Sequence, residues 1–206
     1  MPSATWSKIV IFLAAAVWAV VALAMGLDLD QSWVKPMGIV TSVVVLALLA
    51  FDTVLWKWLP LRITKVPDLS GTWHATLTSN HPGASGQPTV LDCFLIVRQT
   101  YSKIHVEMLF PKSESVSTSA SLVHTDGTAE LWYSYRSEAH ALDRDDNPPH
   151  KGGVQLRIAT NGVVKMAGSY WTDRKTFGRL ETLDRRKSVI NDYAQASAEF
   201  GLKISQ

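Results

Sequence analysis

The 206-residue chain is short of nearly every motif that marks catalysis. It has no GxSxG elbow, no glycine-rich phosphate loop, no CxxC pair and no HExxH helix. Its one cysteine, Cys93, has no internal disulfide partner, so nothing points to an oxidising compartment. The six histidines (74, 81, 105, 124, 140 and 150) are scattered. His105 and Glu107 share a strand face, but two such residues do not make a metal site. The chain does not read as an enzyme, and no cofactor or metal is expected. Charge is scarce at the N-terminus: the first sixty residues hold three basic residues (Lys8, Lys35, Lys57) and three acidic ones (Asp28, Asp30, Asp52). The other 146 hold seventeen and fifteen, an ordinary soluble balance in a segment large enough to bury a core.

What fills that charge-poor region is apolar. Ile9–Leu27 is uncharged and long enough for a helix to cross a hydrocarbon core of about 30 Å. Lys8 and Ala22-Leu23-Ala24 resemble parts of a signal peptide. The length of the run, and a second run from Met37 to about Leu59, favour two membrane helices. Pro36 suits the entry to the second. Asp52, near its end, reads either as an interhelical polar contact or as a carboxylate at headgroup level. Trp6, Trp33, Trp56 and Trp58 fit interfacial belts. Lys8, Lys57, Arg62 and Lys65 flank the pair, while the connecting loop is net acidic. The positive-inside rule then puts both termini in the cytoplasm, as expected of a two-helix membrane anchor.

Beyond Pro67 the period changes from helical to alternating. Trp73, Ala75 and Leu77 fall on one face of Thr72–Ser79. Leu91, Cys93, Leu95 and Val97 share a face of Val90–Arg98, as do Ile104, Val106, Met108 and Phe110 of Lys103–Phe110. Further strands are expected at Ser115–His124, Ala129–Arg136, Val154–Ala159, Val163–Trp171 and near Phe177–Leu183, with turns at Asp126-Gly127 and Asn161-Gly162. Eight sequential strands predict an antiparallel β-barrel, which removes exposed edges; an open sandwich is the alternative. Asn80–Thr89 and the acidic Glu138–Gly153 read as long loops, the second as a solvated connection rather than a calcium site. Val189, Tyr193, Ala196 and Phe200 recur at helical spacing and predict a terminal helix over Ser188–Gly201 that covers the barrel. The expected organisation is a membrane hairpin over 1–60, a linker over 61–70 and a barrel over 71–206.

Small barrels can hold one ligand in the interior or mouth. Between Arg157 and Lys187 stand eight basic residues (157, 165, 174, 175, 179, 185, 186, 187) against three acidic ones (173, 181, 184). Within this stretch Tyr170, Thr172, Arg174 and Thr176 alternate, so an extended chain puts them on one side. Aromatic planes stack on bases, while guanidinium groups and hydroxyls grip phosphates. The competing reading makes Tyr170 and Trp171 packing residues and the charges a solvated face. Arg185-Arg186-Lys187 has its own alternative as a cluster drawn to anionic lipid. Half of Trp132, Tyr133, Tyr135 and Arg136 must face inward, and Trp73 reads as a core residue closing the barrel.

Three features together resemble one bacterial family: the paired apolar helices, Asp68-Leu69-Ser70-Gly71-Thr72-Trp73 opening the strand-rich domain, and Tyr170-Trp171-Thr172-x-Arg174-x-Thr176-x-Gly178. These are the CD-NTase-associated membrane effectors of cyclic-oligonucleotide-based antiphage signalling (CBASS), with two transmembrane helices and a β-strand-rich sensor. The resemblance implies that the barrel binds a cyclic dinucleotide, with 3',3'-cyclic UMP–AMP the best guess. It further implies that the protein forms homo-oligomers and disrupts inner-membrane lipid, causing abortive infection. No DNA or RNA polymer is implied as a partner. Tyr170, Trp171, Thr172, Arg174 and Thr176 become the candidate pocket, with Arg157 added from the neighbouring strand. Gly71-x-Trp73 also resembles the opening of lipocalin-like barrels, so a membrane-anchored carrier of a hydrophobic ligand is the alternative. A scaffold without a small ligand is the third reading.

Overall fold

The computed structural model describes residues 34–82, 87–125, 128–145, 147–160 and 164–202, with a few isolated positions before residue 21. The expected helix over 9–27 and the two turns at Asp126-Gly127 and Asn161-Gly162 lie outside the described residues. The chain divides into two compact units: residues 1–65 with Thr100–Ser102, and residues 66–99 with 103–206.

In the first unit, α1 runs over Val34–Thr53. A 3-10 turn, Leu55–Trp58, and a single helical turn α2, Leu61–Thr64, follow it. The α-helix therefore stops at Thr53, short of the expected Leu59. Among the described residues no helix is long and apolar enough to cross a membrane. Asp52 makes a specific local contact: its carbonyl accepts from the Tyr101 amide (2.8 Å), and its carboxylate accepts from the Ser102 amide (2.7 Å). Phe51 and Trp56 pack edge-on against the Tyr101 ring.

The second unit is a closed antiparallel barrel in which each strand pairs with its sequence neighbours and β1 pairs with β8. The strands are β1 Gly71–Pro82, β2 Pro88–Gln99, β3 Ile104–Leu109, β4 Ser113–Thr125, β5 Thr128–Ala139, β6 His150–Ala159, β7 Lys165–Thr172 and β8 Phe177–Arg186. Closure satisfies the outermost ladders and rules out the open sandwich. The connection expected over Glu138–Gly153 is shorter, because β5 extends to Ala139 and β6 begins at His150.

Parity sorts the side chains. Trp73, Ala75, Cys93, Leu95, Val106, Leu131, Leu156, Met166 and Leu180 point inward and are almost fully buried. In β2 the outward residues Phe94 and Ile96 are buried as well, so Cys93–Val97 reads as an unbroken apolar run. Their cover is the C-terminal segment, whose Ile190 and Ala196 pack on Phe94, Ile96 and Leu109, with Tyr193, Phe200 and Leu202 alongside. The helix itself, α3, is only Tyr193–Glu199, capped by Asp192, whose carboxylate accepts from the Gln195 amide. It starts later than expected because the segment before it is non-helical and tied to β1: the Ile190 amide donates to the Thr72 hydroxyl, which donates to the Ser188 carbonyl. Ile190, not Val189, therefore enters the core, and Val189 stays exposed.

One barrel end is plugged. Trp73 is 2% exposed, and its indole N–H donates to the Leu69 carbonyl (2.8 Å). The Arg185 guanidinium lies 4.9 Å from the Trp73 ring centroid and donates to the carbonyls of Asp68 and Ser70. Gln99 bridges the Leu69 amide and the Pro67 carbonyl. The entry at Gly71 needs φ +122°, and a Cβ there would lie 2.2 Å from the Arg186 carbonyl oxygen, so glycine is required.

Candidate ligand-binding site in the barrel mouth

The other end, where the β1–β2, β3–β4, β5–β6 and β7–β8 connections gather, opens into a cavity of about 660 Å³. That lies within the roughly 300–1,000 Å³ range of small-molecule sites. Its floor is apolar, formed by Leu77, Leu91, Met108, Val154 and Leu180. Its upper wall carries Tyr135, Tyr170, Ser115 and Ser137, and its rim carries Arg174, His150, His81, Lys112 and Thr172.

Four of the expected residues meet here: Tyr170, Thr172, Arg174 and Thr176. They converge through a turn, not along an extended chain. β7 ends at Thr172, whose amide donates to the Thr176 carbonyl (2.9 Å), and Lys175 takes the left-handed conformation (φ 63°). The Thr172 hydroxyl lies 2.6 Å from that of Thr176 and accepts from the Arg174 and Thr176 amides. The hairpin thus aims Arg174 over the mouth. Asp173 anchors it to β6 through reciprocal bonds with Lys151.

Trp171 and Arg157 are not brought to the cavity. Adjacent strand residues face opposite sides, so with Tyr170 inward, Trp171 points out and is 45% exposed. Its ring lies over Gly153, where a Cβ would come within 2.5 Å of it. Arg157 sits between inward Leu156 and Ile158, so it also points out, 3.7 Å from Glu130. The basic excess over 157–187 is likewise dispersed: Arg179 pairs with Glu181, Arg186 pairs with Asp184 and lies over Phe200, and Arg185 belongs to the plug.

Other cavity residues escaped the sequence reading. His150 and Tyr135 were legible in principle: parity carried back from Val154 through Gly152 places His150 inward, and Tyr135 follows from Leu131 and Tyr133. Lys112, Asp143 and Asn147 sit in connections, where no period marks them, and His81 lies near the end of β1, where the pairing register shifts. The Tyr135 and His150 rings meet edge-on at 6.3 Å. An Arg174 N–H donates to His150 Nδ1 at 2.8 Å. The same nitrogen is 3.3 Å from the Pro148 carbonyl. It cannot accept from one and donate to the other, and the shorter contact to a permanent cation makes it the acceptor. Burial first, then the Arg174 charge, push the His150 imidazole below its ordinary value. Burial pushes the phenols of Tyr135 and Tyr170 up, so both are neutral hydrogen-bonding groups at physiological pH. The site can therefore take planar rings against aromatic walls and an anion at a cationic rim.

Residues 64–184 match the family described as Cap15, cyclic dinucleotide receptor domain. The chain is also 23% identical over 176 residues to CD-NTase-associated protein 15 of Staphylococcus schleiferi, an alignment covering 85% of this chain and 90% of that protein. With the matched region spanning the strands that build the mouth, the chain belongs to the Cap15 cyclic dinucleotide receptor family.

Proposed function

We propose that this protein is a CBASS effector whose barrel mouth binds a cyclic dinucleotide, with 3',3'-cyclic UMP–AMP the first ligand to test. One observation carries the reading: a cavity of about 660 Å³ that combines tyrosine walls with a rim of Arg174, Lys112 and histidine. Such a rim suits phosphates, whereas a carrier of uncharged apolar ligands gains nothing from it. Residues 1–60 serve as the inner-membrane anchor with both termini cytoplasmic. Ligand binding favours homo-oligomers, which concentrate the anchors and disrupt the bilayer, killing the infected cell.

Calorimetric titration of the purified full-length chain tests the binding step. Saturable heat with 3',3'-cyclic UMP–AMP, accompanied by growth in particle size, is the expected result. No heat with any cyclic dinucleotide, together with binding of an uncharged long-chain alcohol, would favour the lipocalin-like carrier instead. Protease added outside spheroplasts should leave the barrel intact; prompt cleavage reverses the topology.

A further inference from the structure

Three features of the molecule stand outside this reading: a shallow outer groove beside Trp132 and Trp171, the His74–Asp92 pair beneath α3, and the β5–β6 loop. The loop carries an inference furthest, because it touches both full cations of the cavity rim. Lys112 lies in the β3–β4 turn and Arg174 in the β7–β8 turn, four strands apart and hence half-way round an eight-stranded barrel. The described part of the β5–β6 loop, residues 140–145 and 147–149, rises between them. At one end the His140 amide donates to the Lys112 carbonyl (3.0 Å), and Asp143 pairs with the Lys112 ammonium (3.1 Å). At the other end Arg174 donates to the Asn147 side-chain carbonyl (2.8 Å). The Asn147 amide donates to the Asp143 carbonyl (2.9 Å), which ties the two ends together.

The chemistry of this arrangement is that of an internal substitute for a ligand. A carboxylate lining an anion site opposes binding unless a cation neutralises it, and Lys112 does so only while Asp143 holds it. We propose that Lys112 is a second phosphate subsite, masked by Asp143, and that a ligand carrying two phosphates displaces the β5–β6 loop to reach both Lys112 and Arg174. The inference rests on the cyclic dinucleotide reading above and deepens it. A one-phosphate ligand is satisfied at Arg174 and leaves the strap closed. A two-phosphate ligand takes Lys112, leaves the Asp143 carboxylate beside an anion, and drives the loop outward. The loop thus sets the threshold for binding and selects for the ligand with two separate phosphates.

The test uses the full-length chain, with 3',3'-cyclic UMP–AMP and 5'-AMP as probes. Asp143→Asn, which keeps the shape and removes the charge, should tighten the dinucleotide at least threefold and leave 5'-AMP unchanged. Lys112→Ala should weaken the dinucleotide, and the gain from Asp143→Asn should vanish in that background. Without any ligand, Lys112→Ala should also speed trypsin cleavage after Arg144, since it frees the loop and leaves the cut site itself unaltered. If the wild type binds the dinucleotide and Asp143→Asn binds it no more tightly, the strap is overturned while the receptor reading stands. An unchanged cleavage rate in Lys112→Ala overturns it as well. Absence of dinucleotide binding in wild type and variants alike removes both.

Discussion

The two ends of the barrel are made from the same strands and solve opposite problems. At the plugged end, inward positions carry Trp73 and its cover of Leu69, Gln99 and Arg185, and every polar group named there has a partner. At the mouth, inward positions carry Ser79, Ser115, Ser137, Tyr170 and Thr172, and the space between them stays open. A barrel of eight strands has an interior just wide enough for side chains to fill it. A tightly filled end and a mouth where serines and threonines stand between the tyrosines leave a single-ended cup. Stability and recognition are thereby separated along the barrel axis, and substitutions at the two ends should report different quantities.

Breaking the plug should have the largest effect. Trp73→Ala removes a fully buried indole and its hydrogen bond, and should cost about 3–5 kcal/mol in stability, read by denaturant unfolding. Equal loss from a rim variant would erase the distinction between the ends. Arg174→Ala should do the reverse: at least a tenfold loss of dinucleotide affinity, which is about 1.4 kcal/mol, with an unchanged unfolding midpoint. Wild-type affinity in that variant would remove Arg174 from the site.

A smaller effect should appear as pH dependence at the mouth. His150 is held below its ordinary value of 6.5, so the unfolded chain takes up a proton that the folded chain resists. Its contribution to stability is full above about pH 6.5 and is lost as pH falls toward the folded value. His150→Gln should flatten that slope. An anion bound beside the ring favours the imidazolium, so dinucleotide affinity should rise from pH 8 to pH 6 in the wild type but not in His150→Gln. The smallest effect is expected on the outer wall. Arg157→Ala, at an exposed and loosely paired position, should shift stability by less than about 0.5 kcal/mol and leave ligand affinity unchanged. A clear loss of affinity would mean that the outer wall takes part in recognition.

Much of the barrel was legible because a strand with one buried face must alternate, and each of the eight alternating segments overlaps a strand. The same rule separates Tyr170 from Trp171 and turns Arg157 away from the cavity. Reading a cluster of basic and aromatic residues as one patch overlooks that parity. Arg174 and Thr176 reach the mouth for another reason. The left-handed Lys175 and the paired threonine hydroxyls fold the chain back, which spacing along an extended strand does not reveal.

Local patterning, then, set the number and order of the strands, the inward position of Tyr170 and Thr172, and the burial of Trp73. These depend on a two-residue period and on apolar burial, both written in neighbouring residues. The pairing of β1 with β8, the cover of Phe94 by Ile190, and the meeting of Lys112, Asp143, Asn147 and Arg174 arose from folding. Each joins residues far apart in the chain, and closure of the barrel is what gathers its four connections into one rim. No short-range period encodes that circle, so the chemistry of the mouth became visible only in three dimensions.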